Sequence, residues 1–90
     1  MDIETELYNK TRLVEQILER IEPGLTNDWE KDCRYSIRYC LGKAKSDCDY
    51  GPNKINIHQK MFYINEAMLT LKELGINLEL LNGIDIIVGD

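Results

Sequence analysis

Cys33, Cys40, Cys48 and His58 are the residues whose types could hold a metal or do redox chemistry. Their order, C-x6-C-x7-C-x9-H, lacks the close ligand pairs typical of structural zinc sites. On one helix, Cys33 and Cys40 would stand roughly 10 Å apart along the axis. That exceeds the ~7 Å Cα separation a disulfide tolerates. Both are therefore expected to be buried structural thiols, and no metal or other cofactor is expected. Cys48 lies in a polar stretch and is the expected exposed thiol. A metal or redox site through Cys48 and His58 is kept as a third functional reading.

Acid–base or nucleophilic catalysis needs a nucleophile beside a base, or paired carboxylates in a cleft. His58 is the single histidine, in a predicted first helical turn. There is no nucleophile-elbow pattern and no catalytic-cysteine signature. The six glycines are scattered and build no phosphate-cradling loop. Glu15, Glu19 and Glu22 fall where a solvated helix face is expected. The residues thus argue against most catalysis, and the chain is expected not to be an enzyme.

Two other constellations remain. Lys31, Arg34, Arg38 and Lys45 form a basic strip with Tyr35 beside it. Cations interleaved with an aromatic can grip phosphate and stack a base. Glu30 and Asp32 interrupt the strip, and the net charge of −5 repels polyanions. A basic face that merely offsets an acidic neighbouring helix is the simpler reading. Tyr35, Arg38 and Tyr39, by contrast, are of the types enriched at protein–protein hot spots. Gly42 would let a backbone approach closely.

The elements that must position these residues follow from periodicity and caps. A first helix is predicted over residues 3–21, with Asp2 as N-cap and Glu4 and Glu6 in its first turn. Ile3, Leu7, Val14, Ile17, Leu18 and Ile21 make one apolar stripe. Lys10 falls inside it, where its stem can pack while its head reaches water. Glu22-Pro23-Gly24 ends the helix. A second helix is predicted over 28–45, opened by a capping box of Asn27 and Glu30. Its apolar face is Trp29, Cys33, Ile37, Cys40, Leu41 and Ala44, with room for Ser36. Residues 46–56 form a linker with Gly51-Pro52-Asn53 turn chemistry. The alternation of Lys54-Ile55-Asn56-Ile57 allows a short strand.

A third helix is predicted over 57–74, closed by Gly75 as a C′ residue. Ile57, Met61, Ile64, Met68 and Leu71 make its main stripe, widened by Ala67 and Leu74. Phe62 and Leu69 add a separate strip, so this helix is expected at the centre of the fold. Beyond it, seven of the eleven residues from Leu78 to Val88 are large aliphatics around Asn82-Gly83. Asn-Gly between apolar runs is a strong signal for a β-hairpin, here over 78–81 and 84–88. A lone hairpin is marginal in water, so one face is expected to lie on the Phe62/Leu69 strip. The other face carries Leu78, Leu80 and Ile87.

Ninety residues suit one small domain with a thin core. No apolar run approaches the ~18 residues of a membrane span. The acidic start lacks the apolar stretch of a signal peptide, and three cysteines are an odd number. Free thiols and a cytoplasmic location are therefore expected. Residues 1–22 and 56–90 each carry −3, whereas 23–55 carry +1.

The fold expected is mainly α: a three-helix bundle with a minor C-terminal hairpin. The alternative is an all-α bundle with a C-terminal tail or short fourth helix. The function expected is a small acidic protein-binding module, either a homodimer or an inhibitor or regulator of a larger protein. Partner contacts are expected at Tyr35, Arg38, Tyr39, Leu78, Leu80 and Ile87, and none with a membrane. From size class alone, a phage or mobile-element accessory protein would fit. The alternative is a nucleic-acid or nucleotide binder using Lys31, Arg34, Tyr35, Arg38 and Lys45.

Overall fold

A computed structural model describes residues 2–46 and 55–76 of the chain, and these form three helices. They are α1 (Ile3–Ile21), α2 (Asp28–Ala44) and α3 (Ile57–Glu73). A 3-10 turn, Glu22–Gly24, follows α1. No strand occurs among the described residues. The predicted hairpin over 78–81 and 84–88, with its alternatives of a tail or fourth helix, lies outside them.

Each helix starts where a side chain satisfies an orphan backbone N–H. The Asp2 carboxylate accepts from the Thr5 N–H at 2.7 Å. That bond holds the Asp2 carboxyl below its usual range. Asn27 and Glu30 make the predicted reciprocal box: Glu30 N–H to Asn27 Oδ1 at 2.8 Å, Asn27 N–H to Glu30 Oε1 at 3.2 Å. A second box opens α3, between Asn56 and Gln59 at 2.9 Å in both directions. Here the sequence expectation of a strand is corrected for the described residues. Ile55 and Asn56 are not paired in a sheet; Asn56 is a helix cap.

α3 ends on a Schellman motif. Gly75 has φ +93°, its N–H bonds the Lys72 carbonyl, and the Ile76 N–H reaches back to Leu71 at 3.1 Å. Glycine takes that left-handed conformation without the clash a Cβ would bring. The turn presses Ile76 against the core.

The core is one cluster drawn from all three helices: Leu13, Val14, Ile17 and Leu18 of α1, Ile37, Cys40, Leu41 and Ala44 of α2, and Ile64, Ala67 and Leu71 of α3. Val14, Ile37, Ile64 and Leu71 are completely enclosed. Full burial of such a side chain contributes about 1.5–3 kcal/mol. α3 packs against both other helices, more extensively against α2. α1 and α2 run antiparallel, since Glu15 meets Lys45 and Glu22 meets Arg38. α2 and α3 are also antiparallel, with Tyr39 against Tyr63 and Glu73 acting on Cys33.

Two face assignments need correcting. Trp29 is 53% exposed: it sits in the first turn of α2, ahead of Cys33, where enclosure by the other helices begins. Ser36 is exposed as well, because its position lies well off the centre of the buried stripe. Leu13 and Leu25 are buried, although the sequence reading left them off the core. Lys10 behaves as expected. Its stem is partly covered, and its head bonds Glu6 at 2.9 Å and Asn65 of α3 at 3.1 Å.

Candidate functional site

The sequence placed Tyr35, Arg38 and Tyr39 together as contact residues; α2 divides them between two flanks. Arg38 turns towards α1. Its Nε donates to Glu22 Oε2 at 2.9 Å, and its Nη2 donates to the same oxygen. Arg34 lies beside the pair, its Nε 3.9 Å from Glu22. The bond from Arg38 pulls the Glu22 carboxyl below the usual range and pushes the guanidinium value up.

A second tie joins the C-terminal cap of α2 to the body of α1. Lys45 Nζ donates to Glu15 Oε2 at 2.6 Å, which raises the lysine's value. Three of the four cations predicted for nucleic acid are thus engaged by Glu15 of α1 and by Glu22 in the turn that follows it. Lys31, the fourth, is exposed. On this flank Glu22 and Glu15 compete with a polyanion for these cations.

The opposite flank is aromatic. Tyr39 is 51% exposed, and its ring meets that of Tyr63 edge-on, with centroids 6.2 Å apart. Tyr63 meets Phe62 in the same manner at 5.8 Å. Lys43 Nζ lies 5.6 Å from the Tyr39 ring centre. Tyr35, one turn before Tyr39, is 74% exposed. Phe62 and Leu69 are exposed along the outer side of α3. Rings in edge contact hold one another's orientation. Among the described residues, this flank therefore presents an apolar and π surface. Tyr63 was missed as a contributor because its link to Tyr39 crosses between two helices and leaves no local signal. Leu78, Leu80 and Ile87 lie outside the described residues.

Cys33 and Cys40 are buried free thiols, as expected. Burial pushes both thiol values up; for Cys33 the charges of Glu73, Asp32 and Glu30 add to it, for Cys40 that of Glu66. A raised thiol is a poor nucleophile and a poor metal ligand at neutral pH. Cys48 lies outside the described residues. Among the described residues, no three His, Cys, Asp or Glu side chains converge as a metal site. His58 is exposed on the first turn of α3.

A groove of about 460 Å³ opens between the start of α1, the end of α2 and the start of α3. Leu7, Ala44 and Ile57 floor it, and Glu4, Lys45 and Lys60 stand at its rim. Its volume is in the range of small-molecule sites. Two of the polar groups in it are already used: Lys45 by Glu15, and the Thr11 hydroxyl by the Leu7 carbonyl at 2.7 Å. They bring no nucleophile against a base.

Comparison with protein-family models, curated proteins and solved structures finds no match to this chain. Among the described residues, no helix is long and apolar enough to cross a membrane.

Proposed function

We propose that this chain is a non-enzymatic protein-binding module of the cytoplasm, working through the aromatic flank of α2. One observation carries the reading. Tyr35 and Tyr39 stand 74% and 51% exposed, one turn apart on the same helix. Single exposed apolar residues are ordinary on a protein surface. A row of oriented rings linked from Tyr39 through Tyr63 to Phe62 is less so, and tyrosine is enriched where proteins meet. Arg38 belongs to the Glu22 tie rather than to this row, so it acts on partner binding through the bundle.

The C-terminal segment extends the proposal. Paired across Asn82-Gly83, residues 78–81 and 84–88 form a hairpin with one face on the exposed Phe62/Leu69 strip. Leu78, Leu80 and Ile87 then make a second apolar contact surface for the partner.

The test is affinity capture from the native host with the wild-type chain and with Tyr35→Ala/Tyr39→Ala, followed by mass spectrometry. A protein retained by the wild type and lost from the double variant supports the reading. Identical retention on both overturns it, as does no specific retention together with no self-association of the wild type.

A further inference from the structure

The exposed side of α2 carries an ordered sequence of chemistry. Asp32, Tyr35, Tyr39 and Lys43 are spaced at i, i+3, i+7 and i+11, which puts them on one stripe of the helix. The contact of Lys43 with the Tyr39 ring shows two of them adjacent. The stripe therefore runs from an acid, through two tyrosines, to a base. Its ends are about 16 Å apart at the helical rise.

A stripe of that pattern is complementary to itself when reversed. A two-fold axis between residues 37 and 38 sets Asp32 against Lys43 of a second copy. The same axis brings Tyr35 to within one residue of register with Tyr39 of that copy, an offset of about 1.5 Å that ring-sized side chains span. In an isologous interface each such pair occurs twice.

Gly42 adds an independent observation. It lies beside the stripe, inside α2, with ordinary helical backbone. A Cβ added there would meet nothing within 4 Å. Among the described residues, neither the backbone nor the packing calls for glycine at that position, and glycine is costly in a helix interior. A second helix crossing close to the α2 backbone would call for it.

We infer that the partner at the aromatic flank is a second copy of this chain, docked antiparallel, α2 on α2. The inference rests on the protein-binding reading above and names its partner. One helix pair buries less than the standard interface of about 1,600 Å², so the dimer is weak and reversible.

Sedimentation equilibrium on the full chain, up to millimolar concentration, tests it. The wild type self-associates. Asp32→Lys and Lys43→Asp each weaken that association by about tenfold, because each sets like charges together. The two single variants, mixed, associate with one another, since every opposed pair in the heterodimer is then complementary. Gly42→Leu weakens the dimer while circular dichroism shows an intact helical monomer. A wild type that stays monomeric overturns the inference. So does a dimer that ignores both charge reversals, or single variants that fail to associate on mixing. A monomeric wild type that still captures a different protein through Tyr35 and Tyr39 removes the second copy and leaves the protein-binding reading standing.

Discussion

Arg38 and Glu22 join the middle of α2 to the end of α1 through two hydrogen bonds to one carboxylate oxygen. The pair converts what looked like a surface cation into part of the bundle. Its effect on stability has a definite sign with pH. Glu22 binds its proton more weakly in the folded chain than at its ordinary value of 4.5. The pair therefore stabilises the fold at neutral pH and above that ordinary value. This contribution is lost as pH falls from there through the lowered folded value. Urea midpoints of the wild type and Glu22→Gln should differ at neutral pH and converge in acid. Because the pair is solvent-screened, the difference is small and should shrink further with added salt.

The enclosed side chains set the largest mutational effects. Ile64→Ala removes an atom group that is 0% exposed in the helix that packs against both others. The expected loss is about 2–5 kcal/mol, from lost transfer energy and a residual cavity. Tyr35→Ala, at 74% exposure, should change stability by no more than about 0.5 kcal/mol. Chemical denaturation of the two variants side by side checks both numbers.

Gly42 and Gly75 should answer the same substitution with opposite signs. Gly42→Ala places a methyl in open space on a helix and should add up to about 1 kcal/mol. Gly75→Ala meets no neighbour either, but its φ of +93° is the left-handed region. It should cost about 1–2 kcal/mol. Thermal melts of both variants decide the matter, and equal signs would contradict the backbone geometry.

The buried thiols give a chemical readout of the same fold. In a Cys48→Ser background, Cys33 and Cys40 should react slowly with a disulfide reagent at neutral pH, because both are buried and held in the protonated form. Their rate should rise steeply as denaturant opens the bundle. Fast stoichiometric reaction under native conditions would mean that the α2–α3 interface opens readily.

Much of the helical frame was legible because its signals are local. Asp2, the Asn27–Glu30 box and Gly75 each act within a few residues, and all three stand where the spacing put them. Asn56–Gln59 has the same spacing as the other box, yet the alternation around Ile55 and Ile57 competed with it. The site was less legible because its ties are long-range. Glu15–Lys45 spans 30 residues and Glu22–Arg38 spans 16. Neighbours in sequence, Arg38 and Tyr39, part to opposite flanks, and only the positions of α1 and α3 decide which flank pairs with a carboxylate and which with a ring.

Phe62 and Leu69 test the placement proposed for the C-terminal hairpin. Both are a little over half exposed on the outer side of α3, at 59% and 52%, and lie seven residues apart. A hairpin seated on them removes apolar surface from water at roughly 25 cal/mol per Å². Phe62→Ser/Leu69→Ser in the full chain should then lower stability by about 2 kcal/mol. The loss should come with a steeper fall than either single change alone, because one hairpin covers both positions. If the strip faces solvent instead, the double variant should stay within about 0.5 kcal/mol of the wild type. Urea denaturation separates these outcomes. The second would take the hairpin off α3 and leave Leu78, Leu80 and Ile87 without the platform that orients them.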